Sequence, residues 1–151
     1  MSDLDGFRVE VRDWLESNCP MSMRTPTPDG ELVWGGKNLT FSCDDQRLWF
    51  ERMRDKNWFC PTWAKEYGGA GLSSKENSIL EKEMRKIKCR PAQINIGIWM
   101  RGPVLLQHGT EQQKQQFLQP MTRGEVRWCQ GFSEPNAGSD LASLRTSAVD
   151  M

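Results

Sequence analysis

The sequence predicts a mainly α-helical chain: a bundle of helices, then the first strand and loop of an incomplete β domain. Three observations carry this. Apolar residues recur at helical spacing through most of the first 120 or so positions. Two Ser/Thr-x-x-Glu/Gln stretches have the form of capping boxes. After Gly124 the period changes, with Val126, Trp128, Gln130 and Phe132 alternating against Arg127, Cys129 and Gly131. The expected division is residues 1–124 for the helical domain and 125–151 for the start of the β domain.

Each helix has its own warrant. Leu4, Phe7, Val11, Trp14 and Leu15 predict a first helix over about 3–17, ended by Asn18-Cys19-Pro20. Residues 20–43 hold prolines and glycines without a sustained period, and read as a long surface loop, an insertion or a lid. A second helix is expected from Ser42 or Asp44 to about Asn57, with Leu48, Trp49, Phe50 and Met53 inward. Residues 57–73 mix aromatics, prolines and glycines, which makes a structured turn. Ser73 and Glu76 cap a third helix to about Lys88, with Ile79, Leu80, Met84 and Ile87 inward and Glu81, Lys82, Glu83, Arg85 and Lys86 solvated. Residues 92–107 are the most apolar stretch, read as a buried helix that breaks or kinks around Gly102-Pro103. Thr110 and Gln113 cap a last helix to about Gln119, stopped by Pro120. A strand follows over about 126–133.

Composition narrows the function classes. Twenty basic and twenty acidic residues cancel, so nothing points to nucleic acid. The N-terminal stretch has neither a basic start nor an apolar run, and no segment approaches the ~20 apolar residues of a membrane span, so a cytoplasmic protein is expected. Five scattered cysteines without C-x-x-C spacing read as reduced thiols, and one histidine excludes a histidine-rich metal site. His108 reads as a helix-end residue, Cys129 as a packing thiol, and the tryptophans at 14, 49, 58, 63 and 99 as core; Trp128 reads as core, interface or cofactor flank. Gly68-Gly69-Ala70-Gly71 lacks the lysine of a phosphate loop and reads as a chain reversal.

One stretch carries chemistry: Ser133-Glu134-Pro135-Asn136-Ala137-Gly138-Ser139-Asp140. Its small residues let a flat ligand approach the backbone, and exposed N–H groups with the Ser133 and Ser139 hydroxyls would be donors toward carbonyl or ring-nitrogen acceptors. By composition alone it reads equally as an ordinary turn. The stretch resembles the T/S-E-P-x-A-G-S-D signature of the acyl-CoA dehydrogenase family. HGTEQQKQQFLQPMTRGEVRWCQGFSEP and PTWAKEYGGAGLS resemble the family's segments before it, in order. The wording WCQGFSEP is similar to that of bacterial members, including those acting on long, branched or steroid acyl chains.

The resemblance implies a flavoenzyme that binds FAD, removes hydrogens from the α and β carbons of an acyl-CoA, and passes electrons to an acceptor. It implies flavin contacts at Gln130, Gly131, Phe132, Ser133 and Ser139, with Ser139 also touching the acyl-CoA. Ser133 stands where many members have threonine, and Asn136 where glycine is common. The family's catalytic carboxylate and second flavin strand have no match, so no catalytic residue is assigned here. The chain is expected to be inactive alone and to work as part of a homo- or hetero-oligomeric whole. The alternative is a stand-alone helical interaction module or partner subunit without catalysis.

Overall fold

The computed structural model describes residues 3–149. Met1, Ser2, Asp150 and Met151, the outer ends of the two expected units, lie outside the described residues. Helix α1 (Asp3–Asn18) opens with Asp3 and Asp5, which suit the positive end of its dipole, and buries Val11 and Leu15. Helix α2 (Asp44–Asp55) buries Trp49, Phe50 and Met53. Leu48 stays 38% exposed, contrary to the expected inward face. The residue before α2 is Cys43, which makes no side-chain cap. Gln46 instead accepts from the Ser42 N–H at 2.8 Å.

Helix α3 (Ser74–Lys86) starts with the expected capping box, Ser73 and Glu76 each satisfying the other's backbone N–H. It packs against α1. Glu83 departs from the solvated face assigned to it: it is 2% exposed and pairs with Arg8, Arg12 and Lys86. The periodicity of α3 alone hides this, because two of the cations come from α1.

The first core gathers Val11, Leu15, Trp49, Met53 and Leu80 from these helices and Trp58 from the turn after α2. Trp14 and Trp58 meet edge to face with centroids 4.7 Å apart. The segment from 20 to 43 is strapped down. It opens with a 3-10 turn (Met21–Met23), buries Val33, accepts a bond from Ile94 N–H on Val33 O at 2.7 Å and donates one from Gly36 to Gly124 O at 2.8 Å. Gln46 holds the Glu31 carbonyl at 2.8 Å. Such a segment is a packed strap and not a lid.

The second core holds Cys60, Trp63, Tyr67, Leu105, Leu118 and Met121, with Phe59 packed on both cores. The expected reversal at 68–71 uses Gly68 and Gly71 at φ +86° and +71°, which favour glycine. A Cβ on Gly69 would stand 2.1 Å from the Trp63 carbonyl oxygen.

The apolar stretch is not one kinked buried helix. It forms a π-helical turn (Gly97–Arg101) running into α4 (Gly102–His108), and the wider turn stands just ahead of Gly102-Pro103. Trp99, assigned to the core, is 61% exposed, with Met100 and Val104 also exposed. Helix α5 (Glu111–Thr122) has the expected Thr110–Gln113 capping box. Pro120 does not stop it. Proline sits inside its last turn, and the helix ends at Thr122, with Gly124 just beyond at φ +70°.

Residues 125–133 follow an unpaired course, and among the described residues no strand is formed there; the expected strand at 126–133 lacks a neighbour to bond with. An isolated bridge joins Glu134 to Ala137, and a 3-10 turn spans Leu141–Ser143. No described helix is long and apolar enough to cross a membrane.

Candidate functional site

The signature loop is held by its own glutamate. Glu134 accepts from the backbone N–H groups of Arg145 (3.1 Å) and Thr146 (2.6 Å), and from the Thr146 hydroxyl. These bonds, the hydroxyl first, hold its carboxyl below the usual range. Glu134 is therefore a loop tie, with its lone pairs already engaged.

Ahead of the loop lies a cleft of about 390 Å³. One wall is Ile96, Met100, Arg101 and Val104, from the π turn and α4; the other is the chain from Trp128 to Phe132. Asn95 sets the two walls together. Only 1% exposed, it accepts from Gly97 N–H at 2.9 Å and donates to Val126 O at 2.8 Å. Gly97 lets Trp128 lie against the turn, since a Cβ there would fall 2.4 Å from Trp128 Cδ1. Trp128 also meets Phe117 edge to face at 5.9 Å and lies 5.5 Å under the Arg101 guanidinium.

Two features suit this cleft to a flat, acceptor-bearing ligand. Trp128 lines the cleft with its ring, while its Nε1–H is buried and has no acceptor among the described residues. The backbone N–H groups of Gln130, Gly131 and Phe132 have no acceptor among the described residues. Phe132 is 80% exposed, an apolar face without cover. Of the five residues read from sequence, Gln130, Gly131 and Phe132 line the cleft, while Ser133 and Ser139 are exposed and stand off its lining. Sequence reasoning missed Asn95, Gly97 and Arg101. A lone Asn inside the apolar run AQINIGIWM was the available signal.

The other candidates resolve plainly. His108 ends α4, as expected of a helix-end residue. Cys129 is exposed and lies on the cleft wall, so it is not a packing thiol. Glu111 starts α5 and accepts from the Tyr67 hydroxyl at 3.0 Å. Among the described residues no group of three or more His, Cys, Asp or Glu side chains could hold a metal ion.

The profile of the acyl-CoA dehydrogenase N-terminal domain matches residues 7–125. The chain belongs to the acyl-CoA dehydrogenase family. Acyl-CoA dehydrogenase IpdE1 of Mycobacterium tuberculosis is 34% identical over 148 residues, covering 98% of this chain and 37% of its own length. The solved Tcur3481-Tcur3483 steroid ACAD superposes with a TM-score of 0.61 at 31% identity, over 98% of this chain and 36% of that one. The ChsE4-ChsE5 complex from Mycobacterium tuberculosis gives 0.61 at 28% identity, over the whole of this chain and 35% of its own. The chain thus spans little more than a third of the length of these relatives.

Proposed function

We propose that this chain is the N-terminal portion of a flavin-dependent acyl-CoA dehydrogenase, acting on an acyl-CoA thioester when completed by the remainder of the fold. The observation that carries the reading is the cleft between α4 and residues 128–132, which combines an apolar wall with backbone N–H groups of 130–132 that have no acceptor among the described residues. Those features fit one face of a flavin ring. Gln130, Gly131 and Phe132 would hold FAD through backbone N–H groups and the Phe132 ring, with Ser133 and Ser139 brought in from the signature loop and Ser139 also meeting the acyl-CoA. When bound, FAD supplies the acceptor for the hydrogen leaving the β carbon. This chain's own residues bind and orient. Trp128 and Met100 would lie against the ring, and the N–H groups of 130–132 would stabilise negative charge on it.

No residue here is proposed as the base that takes the α-proton. Glu134 and Glu111 are already engaged in hydrogen bonds, and neither lines the cleft. Electrons would pass to a separate acceptor. A hetero-oligomeric setting is favoured by the two-component solved relative, and a cytoplasmic one by the absence of a spanning helix among the described residues.

The test is to purify the polypeptide as its gene encodes it, after sequencing the transcript through the Met151 codon. The expected result is a bound flavin whose absorbance bleaches on anaerobic mixing with an acyl-CoA, a steroid acyl-CoA being tried beside a short-chain one. F132A should lower flavin occupancy. The 151-residue chain alone should give no turnover with acyl-CoA, FAD and an electron acceptor. A stop codon after Met151, with no flavin retained, would favour the partner-subunit alternative instead.

A further inference from the structure

Two cysteines that the cleft does not use meet in the first core. Cys19 follows α1, its N–H bonded to Leu15 O at 2.9 Å; Cys89 follows α3, its N–H bonded to Met84 O at 3.1 Å. The first turns of α1 and α3 line one hollow, with Leu4 and Asp5 beside Ser74 and Lys75, and further along Arg12 reaches Glu83, so the helices run in the same sense and their exits come to one place. A main-chain bond from Arg90 N–H to Met23 O, 2.9 Å, staples the residue after Cys89 to the turn after Cys19. Arg24 fixes the other side, its guanidinium donating to the Cys19 carbonyl at 2.9 Å and to Glu16 O at 2.6 Å. Cys89 packs on the core cluster that contains Cys19; the Cys19 thiol donates to Pro20 O at 3.7 Å and the Cys89 thiol to Met84 O at 3.4 Å, and the two lie close enough to shift one another's titration.

The surroundings divide the labour. The Cys89 thiol, set against burial and aided by the charges of Arg24 and Arg52, holds the Cys19 thiol below its ordinary value. The same contact with Cys19, and burial, push Cys89 up. Cys60, buried without such neighbours, is pushed up to about 12 and is chemically quiet.

We propose that Cys19 and Cys89 are a redox-modifiable pair that closes to an intrachain disulfide under peroxide. The Cys19 sulfur attacks one peroxide oxygen; an S–O bond forms, the O–O bond breaks, and the departing oxygen leaves as water with a proton. The Cys89 sulfur then displaces hydroxide from the sulfenic sulfur, its own proton making the second water. Two thiols lose two electrons and two protons, and one hydrogen peroxide becomes two waters. Peroxide is the fitting oxidant because Cys19 is only 4% exposed, which disfavours bulky disulfides. The bond would join the C-terminal ends of α1 and α3 across all of α2.

The experiment uses the full chain, reduced, treated with hydrogen peroxide, quenched by alkylation and mapped as non-reduced peptides. The expected dominant product is the Cys19–Cys89 linked peptide, with a melting midpoint several degrees higher that returns on adding dithiothreitol. C89S, checked for native circular dichroism, should leave Cys19 as a sulfenic acid trapped by dimedone. Recovery of Cys19 and Cys89 as thiols or separate sulfinic acids would overturn the proposal. So would links made chiefly through the exposed Cys43 or Cys129. The wild-type peptide map decides on its own should C89S not fold.

Discussion

Glu83 shows what a single residue can do in this chain. Burial alone would raise its carboxyl, but Lys86, Arg12 and Arg8 outweigh that and hold it below the usual range. The three cations keep much of their surface in water, so removing the carboxylate lets them rehydrate. E83Q should therefore cost about 1–2 kcal/mol, less than a fully buried pair would, read as a lower urea midpoint at unchanged slope. The sign with pH follows from the lowered value. The contribution is complete above about pH 4.3, the ordinary glutamate value, and is lost as acid carries the pH down through the folded value. The acid limb of the wild-type stability curve should be steeper than that of E83Q. Glycine supplies the second prediction at this scale. A Cβ on Gly102 would meet Trp63 Cη2 at 2.1 Å, within a wall of the second core. G102A should destabilise by roughly 1–3 kcal/mol through overpacking, measured by thermal melting. Neither effect is legible in the sequence, since each depends on a contact between positions far apart in the chain.

The helices themselves were largely legible, because their signals are local. Both capping boxes are where Ser73/Glu76 and Thr110/Gln113 put them, and α1 runs within a residue of its apolar stripe. What escaped was decided by neighbours. Pro120 lies in the last turn of α5, where the helix is about to end at Thr122, just ahead of Gly124. Trp99 points away from both cores because the π turn rotates the following side chains, and composition cannot report a change of helical pitch. The caps allow a paired prediction. S73A should cost about 1 kcal/mol by stripping the bond to Glu76 N–H. C43S should add a few tenths to 1 kcal/mol, because Cys43 has the extended backbone of a cap but makes no side-chain bond there. Chemical denaturation of the two variants against the parent would settle both. Equal midpoints for all three would mean that the helix ends fray independently of the global transition.

At the scale of the whole molecule the chain has two unlike parts. Residues up to about 124 close on two apolar cores joined at Phe59. Beyond them, Asn95 and Trp128 anchor the next few residues, and then the apolar side chains of Phe132, Leu141 and Val149 are exposed. The alternation at 126–133 has the period of a strand, but a strand is a property of a pair, and no described segment supplies the second member. The candidate site was legible to the same degree: the cleft takes in Gln130, Gly131 and Phe132, but its opposite wall came from α4, which no local pattern links to them. Amide exchange should expose this division. The N–H groups from 126 to 133 have no backbone acceptor among the described residues, so in the isolated chain they should exchange nearly as fast as an unstructured peptide. Those inside α2 and α3 should be protected by roughly a thousandfold or more, the scale of global unfolding. In the polypeptide as the gene encodes it, a partnered sheet would bring residues 126–133 up to the helical level. Protection of that segment in the isolated monomer equal to that of α3 would mean that the helical unit alone orders it, and the proposed dependence on further strands would fall.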